Sequence, residues 1–285
     1  MKILYQGTAA AEAIPALFCQ CETCMMAKRV KGKEIRTRSG ALIDGKLKLD
    51  FGPDTYKHML DGNLDLAAVH SVLITHSHED HFDYAEIALR RGVFAHYTTE
   101  SPLMTVYGNA YVGTFLHPEA NNSNQRFVEL KLYEPKEIEG YTVTPLDAVH
   151  CINGSGDFPV TVNGNTYTRQ EQAFFYLIEK DGKRLLYAHD TSEFPEEVFK
   201  VLSGKHIDLV SLDCTNGKLE PKWVGHMGCS QNLRIREKLI ACGAADEHTI
   251  FIANHFSHNG YTTYEDMCAR MPGFIVSYDG LEIEF

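Results

Sequence analysis

Short apolar runs separated by Gly, Asp, Asn and Pro set the pattern along most of the chain, and a few longer stretches repeat with helical period. The short runs predict strands over 2–6, 41–44, 46–51, 71–75, 141–148, 173–179, 184–188, 209–213, 249–253, 274–277 and 281–285. Helical spacing predicts helices over 54–61, 84–91, 195–202, 231–241 and 263–270. Asp44-Gly45, Asp181-Gly182 and Asp279-Gly280 each sit between apolar segments, which is hairpin-turn chemistry. Strands followed by helix, repeated in two halves, suit an α+β architecture: two sheets face to face with helices outside, in one domain over 1–285. Stretches near 92–130 and 151–170, rich in Asn, Gly and Tyr, read as insertions on one rim.

A chain of 285 residues with 44% hydrophobic residues can bury a full core. It shows no apolar run of signal-peptide or membrane-spanning length, so the expected home is the cytoplasm and no membrane partner is expected. In that compartment the eight cysteines stay reduced. Cys19, Cys21 and Cys24 are clustered and read as thiolate metal ligands, but a tetrahedral zinc site needs one more group. Cys151, Cys214, Cys229, Cys242 and Cys268 are scattered and read as small buried apolar residues. A formal charge of -11 argues against a nucleic-acid partner, whose phosphates call for Lys and Arg. It leaves room for a small phosphorylated substrate, because bound divalent metals make a pocket locally positive.

The decisive stretch is VLITHSHEDHFD, where an apolar strand runs into His76, His78, Asp80 and His81. Two histidines two apart at a strand end can turn to one side. Asp80 and His81, a turn further on, can reach a second point. One segment thus offers ligands for two metals, the arrangement that clamps attacking and leaving oxygens with ions roughly 3.5–4 Å apart. Imidazole and carboxylate suit zinc, manganese or iron. More ligands are needed, and later strands end on His150, His189-Asp190 and His255, with His258 just beyond.

This set resembles the metallo-β-lactamase superfamily of binuclear hydrolases. The resemblance implies a four-layer αββα sandwich with the binuclear site at one edge. It also implies that His76, His78 and His150 hold one metal, that Asp80, His81 and His255 hold the other, and that Asp190 bridges. Asp50 matches the family's early aspartate, an outer group that orients ligands. His189 is expected to point the other way. The segment GTAAAEAIPALFCQCETCMMA resembles more closely the phosphodiesterases that open phosphoribosyl 1,2-cyclic phosphate (PhnP-type), a likeness that extends to the closing SYDGLEIEF. It implies a structural zinc on Cys19, Cys21, Cys24 and His258, and two active-site transition metals, manganese or zinc with iron as a further choice. His226, in WVGHMG, matches the extra active-site histidine, which binds the substrate phosphate or protonates the leaving oxygen; Asp80 is the other catalytic group. Trp223 reads equally as a pocket wall and as a packing aromatic.

The function implied is metal-dependent hydrolysis of a small, cyclic phosphodiester, with a hydroxide held between the metals as nucleophile; a homodimer is admitted. The rival readings are a lactonase, a transfer-RNA-processing nuclease, a protein like the PQQ-biosynthesis factor B, and a metal-binding module without turnover. The nuclease would carry a basic arm that this chain does not show, and a lactonase has no use for the cysteine cluster.

Overall fold

The apolar runs become strands covered on both faces, which is why so many of them lack polar alternation. The computed structural model describes residues 1–62, 64–96, 103–116, 124–152, 156–221 and 223–285. Strands β1 (Lys2–Gly7), β2 (Gly40–Ile43), β3 (Leu47–Leu49), β4 (Ser71–Leu73), β5 (Met104–Gly108) and β6 (Gln125–Glu129) belong to one sheet. Strands β7 (Lys136–Ile138) and β8 (Tyr141–Asp147) start a second sheet, and β9 (Phe158–Val162) pairs with β10 (Asn165–Arg169) as a separate hairpin. Strands β11 (Phe174–Lys180), β12 (Lys183–Ala188), β13 (Leu209–Asp213), β14 (Ile250–Asn254) and β15 (Phe274–Val276) complete the second sheet, and β16 (Leu281–Glu284) returns to the first. Among the described residues the sheet orders are β16-β1-β2-β3-β4-β5-β6 and β15-β14-β13-β12-β11-β8-β7.

The helices are α1 (Glu22–Val30), α2 (Thr55–Gly62), α3 (Tyr84–Ile87), α4 (Ala110–Gly113), α5 (Glu196–Leu202), α6 (Cys229–Ala241) and α7 (Tyr264–Arg270). They lie outside the paired sheets, as the period-two pattern requires. In β11 and β12, Tyr176, Ile178, Leu185 and Tyr187 enter the layer between the sheets with Ile3, Ile43 and Leu73. Their neighbours Phe175, Leu177, Leu186 and Ala188 pack on the other side with Val198 of α5 and Ile235 of α6. Val72, Val106 and Phe82 form the outer core of the first sheet with Ile87 and Val112 of the short helices. This is the α+β sandwich of the expected fold class. No helix among the described residues is long and apolar enough to cross a membrane.

Several details differ from the sequence pattern. The stretch 92–130 is only partly a rim: β5 pairs parallel with β4 and β6 pairs parallel with β5, extending the first sheet. Residues 97–102 and 117–123 of that stretch, and 153–155 of the other, lie outside the described residues. Asp44-Gly45 and Asp181-Gly182 do close hairpins, all four residues having positive φ. Asp279-Gly280 does not, because β15 and β16 belong to different sheets. There the Asp279 carboxylate accepts from Thr8 Oγ1 at 2.7 Å and from the Thr37 backbone N–H at 2.6 Å, anchoring the crossing instead. The helix expected over 84–91 stops at Ile87. Helix α1 lies within the cysteine segment, where the Cys21 side chain accepts from the Cys24 N–H as an N-cap.

The chain direction matters for the site. Strands β3 to β6 are parallel to one another, as are β12 to β15, so their carboxyl ends gather on one edge of the sandwich.

Candidate metal centre

Each chemical residue stands where an apolar strand runs out. Asp50 follows β3, Thr75 to His81 follow β4, His150 follows β8, Asp190 follows β12, Asp213 ends β13 and His255 follows β14. The turn out of the strand is tight. Asp50, Cys151, Asp190 and His255 all have positive φ, between 49° and 61°, a left-handed backbone that non-glycine residues adopt at a cost where surrounding structure enforces it. Gly52 leaves room for the histidine loop: a Cβ there would lie 1.9 Å from the carbonyl oxygen of Asp80.

The outward ring nitrogens are pinned, and this sets which atom faces inward. His81 Nδ1 donates to Asp50 Oδ2 at 2.7 Å. Thr75 Oγ1 donates to Asp50 Oδ1 at 3.0 Å and so accepts from His76 Nδ1 at 2.9 Å. His150 Nδ1 donates to Gly225 O at 3.0 Å. Thr215 Oγ1 donates to His255 O at 2.9 Å and accepts from His255 Nδ1 at 2.8 Å. The inward atoms of these histidines are therefore bare Nε2 lone pairs. His78 faces the cluster with Nδ1, 3.1 Å from His150 Nε2, while its Nε2 lies 3.7 Å from Cys151 Sγ.

The inward atoms crowd together. His81 Nε2 and His255 Nε2 are 3.3 Å apart. Asp190 Oδ2 lies 2.8 Å from His81 Nε2 and 3.0 Å from His255 Nε2, yet it is buried with no hydrogen bond to either; His76 Nε2 is likewise buried and unpartnered. The other oxygen, Asp190 Oδ1, lies 3.6 Å from His150 Nε2, so the carboxylate spans both halves of the cluster. Asp80 Oδ2 is 3.2 Å from His81 Nε2. Lone pairs that face one another without a proton to share are what cations between them would satisfy, and imidazole with carboxylate fits divalent transition metals. The donors fall into overlapping groups: His76, His78, His150 and Cys151; His76, His81 and Asp190; Asp80, His81 and His255; and Asp190, Asp213, His226 and His255.

The charges around the cluster act in opposite senses on different histidines. Burial and the neighbouring histidines hold His76 well below 6.5. Burial brings His150 down to about 3. For His81 burial is outweighed by Asp190, Asp80 and Asp50, which raise it well above 6.5. Burial raises Asp80, but the neighbouring His81 prevails and brings it to about 2. His226 is partly exposed, and although desolvation works against its charge, Asp213, bonded to its Nδ1 at 2.8 Å, and then Asp190 and Asp80, lift it to about 9. The His226 ring stacks on His255 with centroids 5.7 Å apart, on the wall of the cavity that His78, Asp80, His150, Asp190 and His255 also line. His189 turns away from it, bonding Ser211 Oγ at 2.8 Å.

The cysteine segment forms a second cluster. Cys19 Sγ and Cys21 Sγ each lie 3.4 Å from His258 Nδ1, and Cys24 completes the group. Backbone N–H groups of Cys21, Cys24 and Ala16 point at the sulfurs of Cys19, Cys21 and Cys24, at 3.3 to 3.5 Å. The N–H of Cys21 lowers the Cys19 pKa, whereas burial pushes Cys24 up to about 12. The full set of thiolates therefore needs a cation opposite it. The four groups fit a closed tetrahedral zinc site.

Sequence reasoning missed the residues behind the ligands. Asp213 holds His226 and accepts from the Thr215 and Met227 N–H groups at 3.0 Å. Its signal was an aspartate ending an apolar strand, the position Asp50 and Asp190 share. Glu171 accepts from the Ser77 N–H at 3.0 Å and from Asn109 Nδ2 at 2.8 Å, fixing the loop between His76 and His78. Cys151 is buried in the core as expected, and its Sγ also lies 3.7 Å from His78 Nε2.

The paired sheets with a histidine and aspartate cluster on one edge define the metallo-β-lactamase fold. Residues 49–248 match the family model described as the Beta-lactamase superfamily domain, and the chain belongs to that superfamily. A crystal structure of a diphosphatase from the PhnP family shares 19% identity over 100% of this chain and 97% of its own, with a TM-score of 0.72. Zinc-bound PqqB from Methylobacterium extorquens shares 18% over 100% of both chains, also at 0.72. The short form of human tRNase Z shares 16% over 100% of this chain and 99% of its own, at 0.60. No curated protein sequence is significantly similar to the chain.

Proposed function

We propose that the chain is a metal-dependent hydrolase of small phosphodiesters. The reading rests on the placement of His226. Its Nδ1 is committed to Asp213, so its Nε2 is the ring nitrogen left for a ligand in the cavity shared with the histidine and aspartate cluster. Breaking a phosphodiester leaves an alkoxide that needs a proton, and a histidine held by a carboxylate on its far side suits that task. His76, His78 and His150 would hold one divalent cation, Asp80, His81 and His255 a second, with Asp190 between them; Cys19, Cys21, Cys24 and His258 would hold a structural zinc. When bound, manganese, zinc or iron in the centre supplies Lewis acidity at the phosphoryl oxygens. The chain's own groups orient the reaction: Asp50 and Thr75 fix His81 and His76, Thr215 fixes His255, and Asp213 aims His226. An acidic chain without a basic arm favours a small diester over a nucleic acid, and free cysteines accord with a reducing, cytoplasmic setting.

The test is hydrolysis of bis(p-nitrophenyl) phosphate by protein loaded with manganese or zinc and by the same protein after chelation. Metal-dependent release of p-nitrophenol is the expected result. Well-loaded protein that hydrolyses neither this compound nor a cyclic phosphoribosyl diester would leave a metal-binding module as the better reading.

A further inference from the structure

A cavity of about 220 Å³ lies against the outer face of β1 and shares no lining residue with the metal-centre cavity. Ile3 and Tyr5 enter the layer between the sheets, so strand alternation turns Leu4 and Gln6 the other way, toward α2. Leu4 and Gln6 line the cavity from the strand, His58 and Asp61 from α2, Leu64 from the chain that follows, and Asp279 from the turn before β16.

Three polar atoms around this cavity have nothing to bond. Gln6 is 7% exposed, and its Nε2 and Oε1 are both buried without a partner; His58 is 6% exposed, and its Nδ1 is likewise unpartnered. The His58 tautomer is fixed from its other side. Thr37 Oγ1 donates to Asp279 Oδ2 at 2.6 Å and so accepts from His58 Nε2 at 2.7 Å. Nδ1 is then a bare lone pair, and burial keeps the ring neutral, with its pKa brought down to about 3. Unpaired buried polar groups destabilise a fold, and native chains carry few of them. Three around one cavity mark a place built to be filled.

The charges at the cavity are already engaged. Asp279 accepts from Thr8 Oγ1 and from the N–H and Oγ1 of Thr37, and Asp61 pairs with Lys57 on the helix surface. No Lys or Arg is among the described residues that line the cavity, so an anion finds nothing to hold it. The three unpaired atoms define their own complement: an acceptor for Gln6 Nε2, a donor for Gln6 Oε1 and a donor for His58 Nδ1. A primary carboxamide, with one carbonyl and two N–H bonds, supplies that set. Leu4 and Leu64 leave apolar wall for the body that carries it.

We propose that this cavity is a binding site for a small neutral primary carboxamide, its amide paired edge to edge with Gln6, its second N–H on His58 Nδ1 and its apolar body against Leu4 and Leu64. The site is separate from the diester chemistry, and either reading can fail without the other.

Benzamide, N,N-dimethylbenzamide and benzoate separate the possibilities, because they share a ring and differ in what they offer: two N–H bonds, none, and a negative charge. Each is titrated into isotopically labelled full-length chain while the Gln6 side-chain amide and the His58 ring nitrogens are followed by NMR. Benzamide is expected to shift both saturably, and the other two compounds to leave them unchanged. Gln6→Met keeps the length of the side chain and removes its amide. It should weaken benzamide binding, read at His58, by about tenfold. The same variant should keep its metals and unfold no earlier than wild type, since two unpaired buried atoms are gone. A response to N,N-dimethylbenzamide or benzoate equal to that of benzamide overturns the assignment and leaves an unselective crevice. No response to any of the three also overturns it, and leaves a cavity whose polar atoms are satisfied by water that a carboxamide does not displace.

Discussion

Cys19 and His258, 239 positions apart in the chain, meet with Sγ and Nδ1 3.4 Å apart. The contact ties the N-terminal loop to the loop that carries His255, so a zinc ion held there would close the polypeptide across the site edge. Binding energy at such a closed site is folding energy. Cys21→Ser should therefore remove one equivalent of zinc and lower the thermal unfolding midpoint, with the loss of stability preceding any loss of turnover. Metal analysis and a melting curve on the same preparation check this; an unchanged zinc content would sink the assignment.

Asp50 accepts hydrogen bonds from His81 Nδ1, the Thr75 N–H and Thr75 Oγ1, and through Thr75 it reaches His76. One buried carboxylate thus sets the orientation of a histidine in each half of the cluster. Replacing it with the isosteric amide substitutes a donor for one acceptor and loosens both rings. Asp50→Asn is expected to weaken metal affinity by about 10- to 100-fold, read by titration against a competing chelator. Wild-type affinity in that variant would show that the histidines are held by packing alone.

How much of this was legible depends on how each signal is carried. Apolar strands ending in His or Asp were readable because burial and chemistry alternate within one short run, as at Ile74 to His76 or Ala188 to Asp190. Asp213 was not, since nothing local distinguishes a carboxylate that holds a distant imidazole from any strand-end aspartate. The Asp279-Gly280 turn failed for a related reason: local turn chemistry cannot say which sheet the next strand will join. Strand β6 lay hidden because Arg126 and Glu129 interrupt a run half-exposed at the sheet edge. Cys151 packs in the core as its sequence context suggests, and its contact with His78 was not legible because His78 lies on another sheet's loop.

His226→Ala removes the imidazole while leaving Asp190, His81 and His255 in place. If the ring delivers a proton to the leaving oxygen, kcat should fall by about 10²- to 10⁴-fold, with both active-site metals retained. The loss should shrink for a diester whose leaving group is p-nitrophenolate, which departs without a proton. A rate equal to wild type on an alkyl diester would refute the role.

His58 supplies a pH test away from the metal ligands. Its Nε2 lies 2.7 Å from Thr37 Oγ1, and Thr37 Oγ1 itself donates to Asp279 Oδ2 at 2.6 Å, so the histidine must donate through Nε2. The other nitrogen, Nδ1, is buried without a partner. Protonating it would bury an unsatisfied N–H, and burial, aided by Lys48 and Lys57, lowers its pKa to about 3. The unfolded chain takes up that proton near pH 6.5, so between 6.5 and about 3 the unfolded state binds more protons and stability rises with pH. The contribution is whole above 6.5 and is lost progressively as pH falls toward 3. His58→Gln, which can keep the bond to Thr37 and does not titrate, should therefore show a shallower fall in unfolding free energy between pH 7 and pH 4. Subtracting the two profiles cancels the other buried histidines; parallel profiles would mean that His58 does not resist protonation in the folded chain.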